Sequence, residues 1–171
     1  MNSRDVAFAG LFAALTAVGA QISIPIGPVP LTLQVFTVLL SGLILGSRLG
    51  FLSQAVYLFM GVVGIPVFAN VQGGLAVIYG PTGGYLVAFP LAAFLAGYVA
   101  ERKDSLAAMV AGSVIAIAVI YALGWLRLGL LMGNDFKKAF FIGVLPFIPA
   151  DLGKALVAAA VAKTVKKWGV L

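Results

Sequence analysis

The chain has 171 residues, 63% of them hydrophobic and 9% charged, with a formal net charge of +6. Soluble domains are roughly half apolar and about a quarter charged, so this composition excludes one and predicts an all-α integral membrane protein. With no cysteine and no histidine, thiol chemistry, disulfides, histidine general bases and the usual zinc sites are excluded as well.

A membrane crossing takes about 20 apolar residues, so six helices use roughly 120 and leave about 50 for loops. A single six-helix domain over residues 1–171 is expected, with no soluble module. No GxxxxGK[ST] sequence marks an ATPase. The positive charge fits cytoplasmic loops rather than nucleic acid.

The first predicted helix covers residues 4–24. It resembles a secretory signal, but the apolar run is long and lacks a clear cleavage site, so it is read as retained. Ala9, Ala13 and Ala17 recur at i,i+4. Small residues at that spacing let another helix approach closely. This face is therefore either a docking surface for a partner or ordinary packing within the bundle.

Gly27-Pro28-Val29-Pro30-Leu31-Thr32-Leu33-Gln34 carries no charge and reads as an ordered loop entering helix two. Gln34 caps that helix, faces water or contacts a ligand. Helices two (32–45) and three (49–63) are short for a crossing of roughly 30 Å, with Gly46-Ser47-Arg48 as the turn between them. Short helices under loops leave space for a cavity open to one side.

The longest loop covers residues 64–83, is uncharged and is half apolar. It is expected to fold back over the bundle as a lid, since loops beyond about 12–15 residues are commonly functional. Asn70, Gln72, Tyr79 and Tyr85 are its polar handles. Helix four (85–100) contains Pro90, a candidate kink. Glu101-Arg102-Lys103-Asp104 is a charged turn, helix five covers 105–125, and a loop from Arg127 to Lys138 follows.

Pro146-Phe147-Ile148-Pro149-Ala150-Asp151-Leu152-Gly153-Lys154 opens the last helix. Prolines belong in a first helical turn, so the helix is expected to begin near Pro149. Asp151 then sits at the positive end of the helix dipole, and Lys154 shares its face at i,i+3. Charges inside a membrane protein are costly and point to a functional site. The alternative is a capping carboxylate with a local lysine partner. The helix ends in Lys163, Lys166, Lys167 and Trp168.

Orientation follows from lysine and arginine placement. With both termini cytoplasmic, Arg4, Arg48, Arg102, Lys103, Lys163, Lys166 and Lys167 lie inside, and Arg127, Lys137 and Lys138 lie outside. The uncharged loops and the Asp151–Lys154 pair then share the outer side.

Four stretches carry a family resemblance: residues 27–34, Gly-Ile-Pro-Val-Phe-Ala at 64–69, Gly-Pro-Thr-Gly-Gly-Tyr-Leu at 80–86, and Pro-Ala-Asp-Leu-Gly-Lys at 149–154. In this order they resemble BioY, the biotin-specific substrate-binding (S) component of energy-coupling factor (ECF) transporters. The resemblance covers nearly the whole chain. It implies the ECF S-component fold, biotin bound near the outer face of the cell membrane, and no enzymatic activity or cofactor. It also implies as partners a transmembrane coupling (T) subunit, docked on helix one, and two ATPase subunits. By resemblance Asp151 and Lys154 belong to the ureido-ring site and Asn70 completes it, while Tyr85 and Gln34 match motifs near the ligand. Ala150 departs from the glycine expected in many relatives.

The chemistry fits such a ligand. A ureido group has two N–H donors and one carbonyl; Asp151 accepts, Lys154 donates and Asn70 does either. The rival readings are an S component for another vitamin and an ion-coupled carrier using Asp151. An intramembrane enzyme would need paired acids or metal-binding histidines.

Overall fold

The computed structural model describes residues 1–169; the last two residues of the expected domain lie outside them. Helix α1 is Ser3–Gln21, with Asn2 and Asp5 forming a reciprocal capping box. It stops three residues short of the expected end because Ser23–Ile24 (β1) pairs antiparallel with Leu31–Thr32 (β2), Ser23 opposite Thr32. The proline-rich stretch between them is thus the turn of a small hairpin. Helices α2 (Gln34–Leu45) and α3 (Ser47–Val62) follow. At about 1.5 Å per residue they are some 18 and 24 Å long, short as expected.

The segment from 63 to 82 is not structureless. It holds a 3-10 turn at Ala69–Val71 and a one-turn helix α4, Leu75–Tyr79. Helix α5, Gly83–Arg102, runs as one helix through Pro90. Helix α6, Leu106–Leu131, extends six residues past the predicted end at Trp125. Most of the loop predicted after it is helical too. Asp135 accepts from the Lys138 N–H at 2.9 Å and starts helix α7, Phe136–Gly143. A 3-10 turn, Leu145–Phe147, leads into α8, Ile148–Lys167, one residue before the predicted start.

Helix α5 packs against α6, α3 and α2, and α8 closes the bundle against α2 and α6. Ser3–Gln21, Gly83–Arg102, Leu106–Leu131 and the run Phe136–Lys167 are long and apolar enough to cross a membrane; α2 is apolar but has only 12 residues. Large apolar side chains such as Leu11, Phe59, Leu126, Leu130 and Leu156 are exposed on the outer surface, the reverse of a water-facing exterior and what lipid requires.

One end of the bundle is tightly drawn together. Gly46 alone separates α2 from α3, with φ +85°, a conformation that favours glycine. The Glu101 carboxylate accepts from the Ser47 N–H at 2.7 Å and from its hydroxyl at 2.9 Å, stitching α5 to the start of α3. A Cβ at Gly42 would overlap the Ala93 carbonyl, and one at Gly97 would meet the Gly46–Ser47 backbone. The chain termini gather here as well, since Asn2, Arg4, Leu45 and Lys166 line one depression.

The alanine face of α1 is turned inward. Ala9 is 6% and Ala13 is 1% exposed, and Ala17 is half-buried against the same core. The expectation of a partner-docking surface at Ala9, Ala13 and Ala17 is corrected: their small side chains let α1 settle on α2 and α3 of this chain.

Candidate functional site

At the opposite end lies a cavity of ≈ 630 Å³, within the range of about 300–1,000 Å³ usual for small-molecule sites. The hairpin, the 68–82 segment, α5, α6 and the first turns of α8 form its walls. Asn70, Gln34, Tyr85, Asp151 and Lys154 all line it, so five residues scattered over 120 positions meet in one space.

Asp151 is 2% exposed. Its Oδ1 accepts from Lys154 Nζ at 2.7 Å, and its Oδ2 accepts from the Tyr121 hydroxyl at 2.6 Å. Lys154 Nζ also donates to the Thr32 carbonyl at 2.6 Å, tying α8 to the hairpin. The remaining capacity of this group is definite. A carboxylate has about four acceptor positions and an ammonium three protons. Two acceptor positions on Asp151 and one proton on Lys154 are therefore unspent. The expected pair is present, and Tyr121 of α6 joins it.

Gln34 is buried and already engaged. Its Oε1 accepts from the Thr32 hydroxyl at 2.9 Å, and its Nε2 donates to the Tyr57 hydroxyl at 2.6 Å. Tyr57 donates in turn to the Val67 carbonyl at 3.0 Å. Gln34 thus belongs to a polar chain that fixes hairpin, α3 and lid relative to each other. Tyr85 donates its hydroxyl to the Gly143 carbonyl at 2.7 Å, leaving its ring as the part that faces the cavity. Its ring also fills the space left at Gly124, where a Cβ would collide with it.

Asn70 is exposed on the lid and accepts from the Ser23 hydroxyl through Oδ1 at 3.1 Å. With Oδ1 so used, its NH₂ remains as a donor. Phe68 anchors the lid: it is buried, with its ring edge-on to Tyr57 at 5.7 Å. Arg127 holds the far side by donating to the Tyr79 carbonyl. Among the described residues no cluster of His, Cys, Asp or Glu could hold a metal.

Sequence reasoning missed Tyr121, Tyr57, Thr32 and Arg127. Tyr121 and Tyr57 sit inside apolar helical runs, where a tyrosine reads as packing. Only the helical spacing of Tyr121 with buried Ile117, Gly124 and Leu128 hinted that its hydroxyl was turned inward.

Fold and site together define a membrane-embedded helical bundle that holds a small polar-headed molecule at one end. A family model for the BioY family matches residues 1–169, and the chain belongs to that family. It is 52% identical over 163 residues to a probable biotin transporter BioY of Pyrococcus horikoshii, covering 95% of this chain and 96% of the relative. It is 49% identical over 164 residues to the biotin transporter BioY of Thermotoga maritima, covering 96% of each. A crystal structure of the S component for biotin from an ECF-type ABC transporter superposes with a TM-score of 0.90 at 23% identity, over 98% of this chain and 95% of that one. The fold is therefore that of an S component.

Proposed function

We propose that this protein is the biotin-binding S component of an ECF transporter in the cell membrane, working with a T subunit and two ATPase subunits. One observation carries the reading. The unspent capacity of the Asp151–Lys154 pair, two acceptor positions and one proton, is complementary to the two N–H groups and one carbonyl of a ureido ring. Asp151 accepts from the ring, Lys154 donates to its carbonyl, and the Asn70 NH₂ reaches the same polar head from the lid. Tyr121 holds the carboxylate, Tyr85 offers a ring face to the apolar part of the ligand, and Gln34 supports the hairpin beneath it. None of these groups has a catalytic part.

We read the chain as one domain with six crossings, α1, α2, α3, α5, α6 and α8, and both termini cytoplasmic. The excess of Lys and Arg at the end that gathers the termini supports this orientation. The cavity then opens outward, where a scarce vitamin is captured. A proton relay normally needs several titratable groups, and Asp151 is the only buried acid among the described residues.

The test is calorimetric titration of the detergent-purified chain with biotin, alone and as Asp151→Asn. Tight one-to-one binding that the substitution weakens is expected. A folded wild-type chain that gives no heat with biotin, but binds a different vitamin, would replace the substrate while keeping the class.

A further inference from the structure

The lid contains an unusual pair of conformations. Asn70 and Val71 both have positive φ, 60° and 59°. Asparagine tolerates this region, but a β-branched residue there is a genuine outlier. Such a conformation persists only when its surroundings determine it more than once. Both residues line the cavity.

The surroundings do so through the last residue of α1. Gln21 Nε2 donates to the Phe68 carbonyl at 3.0 Å, and Gln21 Oε1 accepts from the Val71 N–H at 3.0 Å. One planar amide thus satisfies a carbonyl and an N–H on either side of the turn, as a paired backbone would. Phe68 and Gln72 exchange N–H···O bonds of 2.9 and 3.3 Å beneath it. Ser23, two residues beyond Gln21, donates to Asn70 Oδ1. Glutamate would lack the donor, and asparagine is one methylene shorter.

We propose that Gln21 is a positioning residue for ligand capture: it holds the strained 69–71 turn, and with it the Asn70 amide, in the ligand-facing conformation before the ligand arrives. This rests on the reading of the cavity as a biotin site. Without the clamp Val71 relaxes to negative φ and carries Asn70 off the cavity. Apparent affinity then falls in proportion to the competent fraction, so a turn correctly set one time in ten weakens binding about tenfold.

The experiment compares wild type, Gln21→Ala, Val71→Asn and the double variant in detergent. It measures biotin affinity by calorimetry and, in ligand-free protein, hydrogen exchange of the Val71 amide. Asparagine adopts positive φ more readily than valine, so Val71→Asn should lessen the need for the clamp. Gln21→Ala is expected to weaken biotin about tenfold and to speed exchange at Val71. The double variant is expected to recover much of the lost affinity, with Val71→Asn gaining more in that background than alone. Wild-type affinity in Gln21→Ala, or a double variant no better than Gln21→Ala, overturns the proposal. If wild type itself ignores biotin, the ligand reading fails, and the exchange arm still decides the clamp: unchanged exchange in Gln21→Ala overturns it.

Discussion

Replacing Asp151 by Asn, then repairing the charge with Lys154→Met, separates two roles that the buried pair could play. The side chains of Asp151 and Lys154 are 3% and 12% exposed and lie 2.7 Å apart. Asp151→Asn removes the counter-charge and leaves the ammonium with neutral acceptors alone, the Thr32 carbonyl and the amide oxygen that replaces the carboxylate. Stranding a buried charge costs about 3–5 kcal/mol, and the retained Thr32 contact favours the lower end. The double variant has no stranded charge, and well-packed apolar replacements of buried pairs are often neutral, so most of that stability should return. Binding should not return. A hydrogen bond to a charged group contributes about 1.5–3 kcal/mol, so losing one between the ligand and Asp151 weakens biotin roughly 10- to 150-fold. Thermal unfolding in detergent reads the first quantity and calorimetric titration the second. If affinity recovers along with stability in the double variant, the pair is a structural cap and the ligand contacts assigned to it are wrong.

Other positions give sharper contrasts between folding and binding. Tyr85→Phe loses only the hydroxyl bond to Gly143; stability should drop by about 1 kcal/mol while biotin affinity stays within about threefold of wild type, checked by the same two assays. Asn70→Asp removes the donor that Ser23 leaves free and should weaken biotin by about tenfold, the worth of one hydrogen bond, with little change in melting temperature because the side chain is exposed. Gly42→Ala forces a methyl into the Ala93 carbonyl; overpacking of this kind costs about 1–3 kcal/mol or more, so melting temperature should fall sharply, and a melting curve like wild type would mean α2 and α5 are not so closely apposed.

The charge pair at α8 was legible because a carboxylate and an ammonium in an otherwise apolar helix have few reasons to be there. The proline pair also marked where that helix begins. Arg127 misled for the same reason: a lone arginine reads as the end of a membrane helix, yet α6 continues to Leu131, its guanidinium spent on the Tyr79 carbonyl. Helix α7 was hidden by Asn134, Asp135 and two lysines, a loop-like composition that is also a capped amphipathic helix. The β1–β2 hairpin could not be seen because each strand is two residues long and exists only through its pairing. The alanines of α1 were recognised as a close-packing face, but spacing cannot say whether the neighbour belongs to the same chain. Gln34 and Tyr85 were found by motif, and their engaged polar atoms appear only in three dimensions.

The glycine-packed base at Gly42, Gly46 and Gly97 bears on how such a protein diversifies. None of these glycines lines the cavity, and none of them has room for a larger side chain without strain or overlap. The residues that line the cavity are borne by the hairpin, the 68–82 segment, the start of α8 and the facing parts of α5 and α6, all at the far end. Selection for a new cargo can therefore rewrite the mouth while leaving the base as inherited. Relatives that carry different molecules should then differ most in the segments around 23–32 and 63–82. A graft of those segments and the first turn of α8 onto a foreign base is the smallest transfer that should bring this specificity with it.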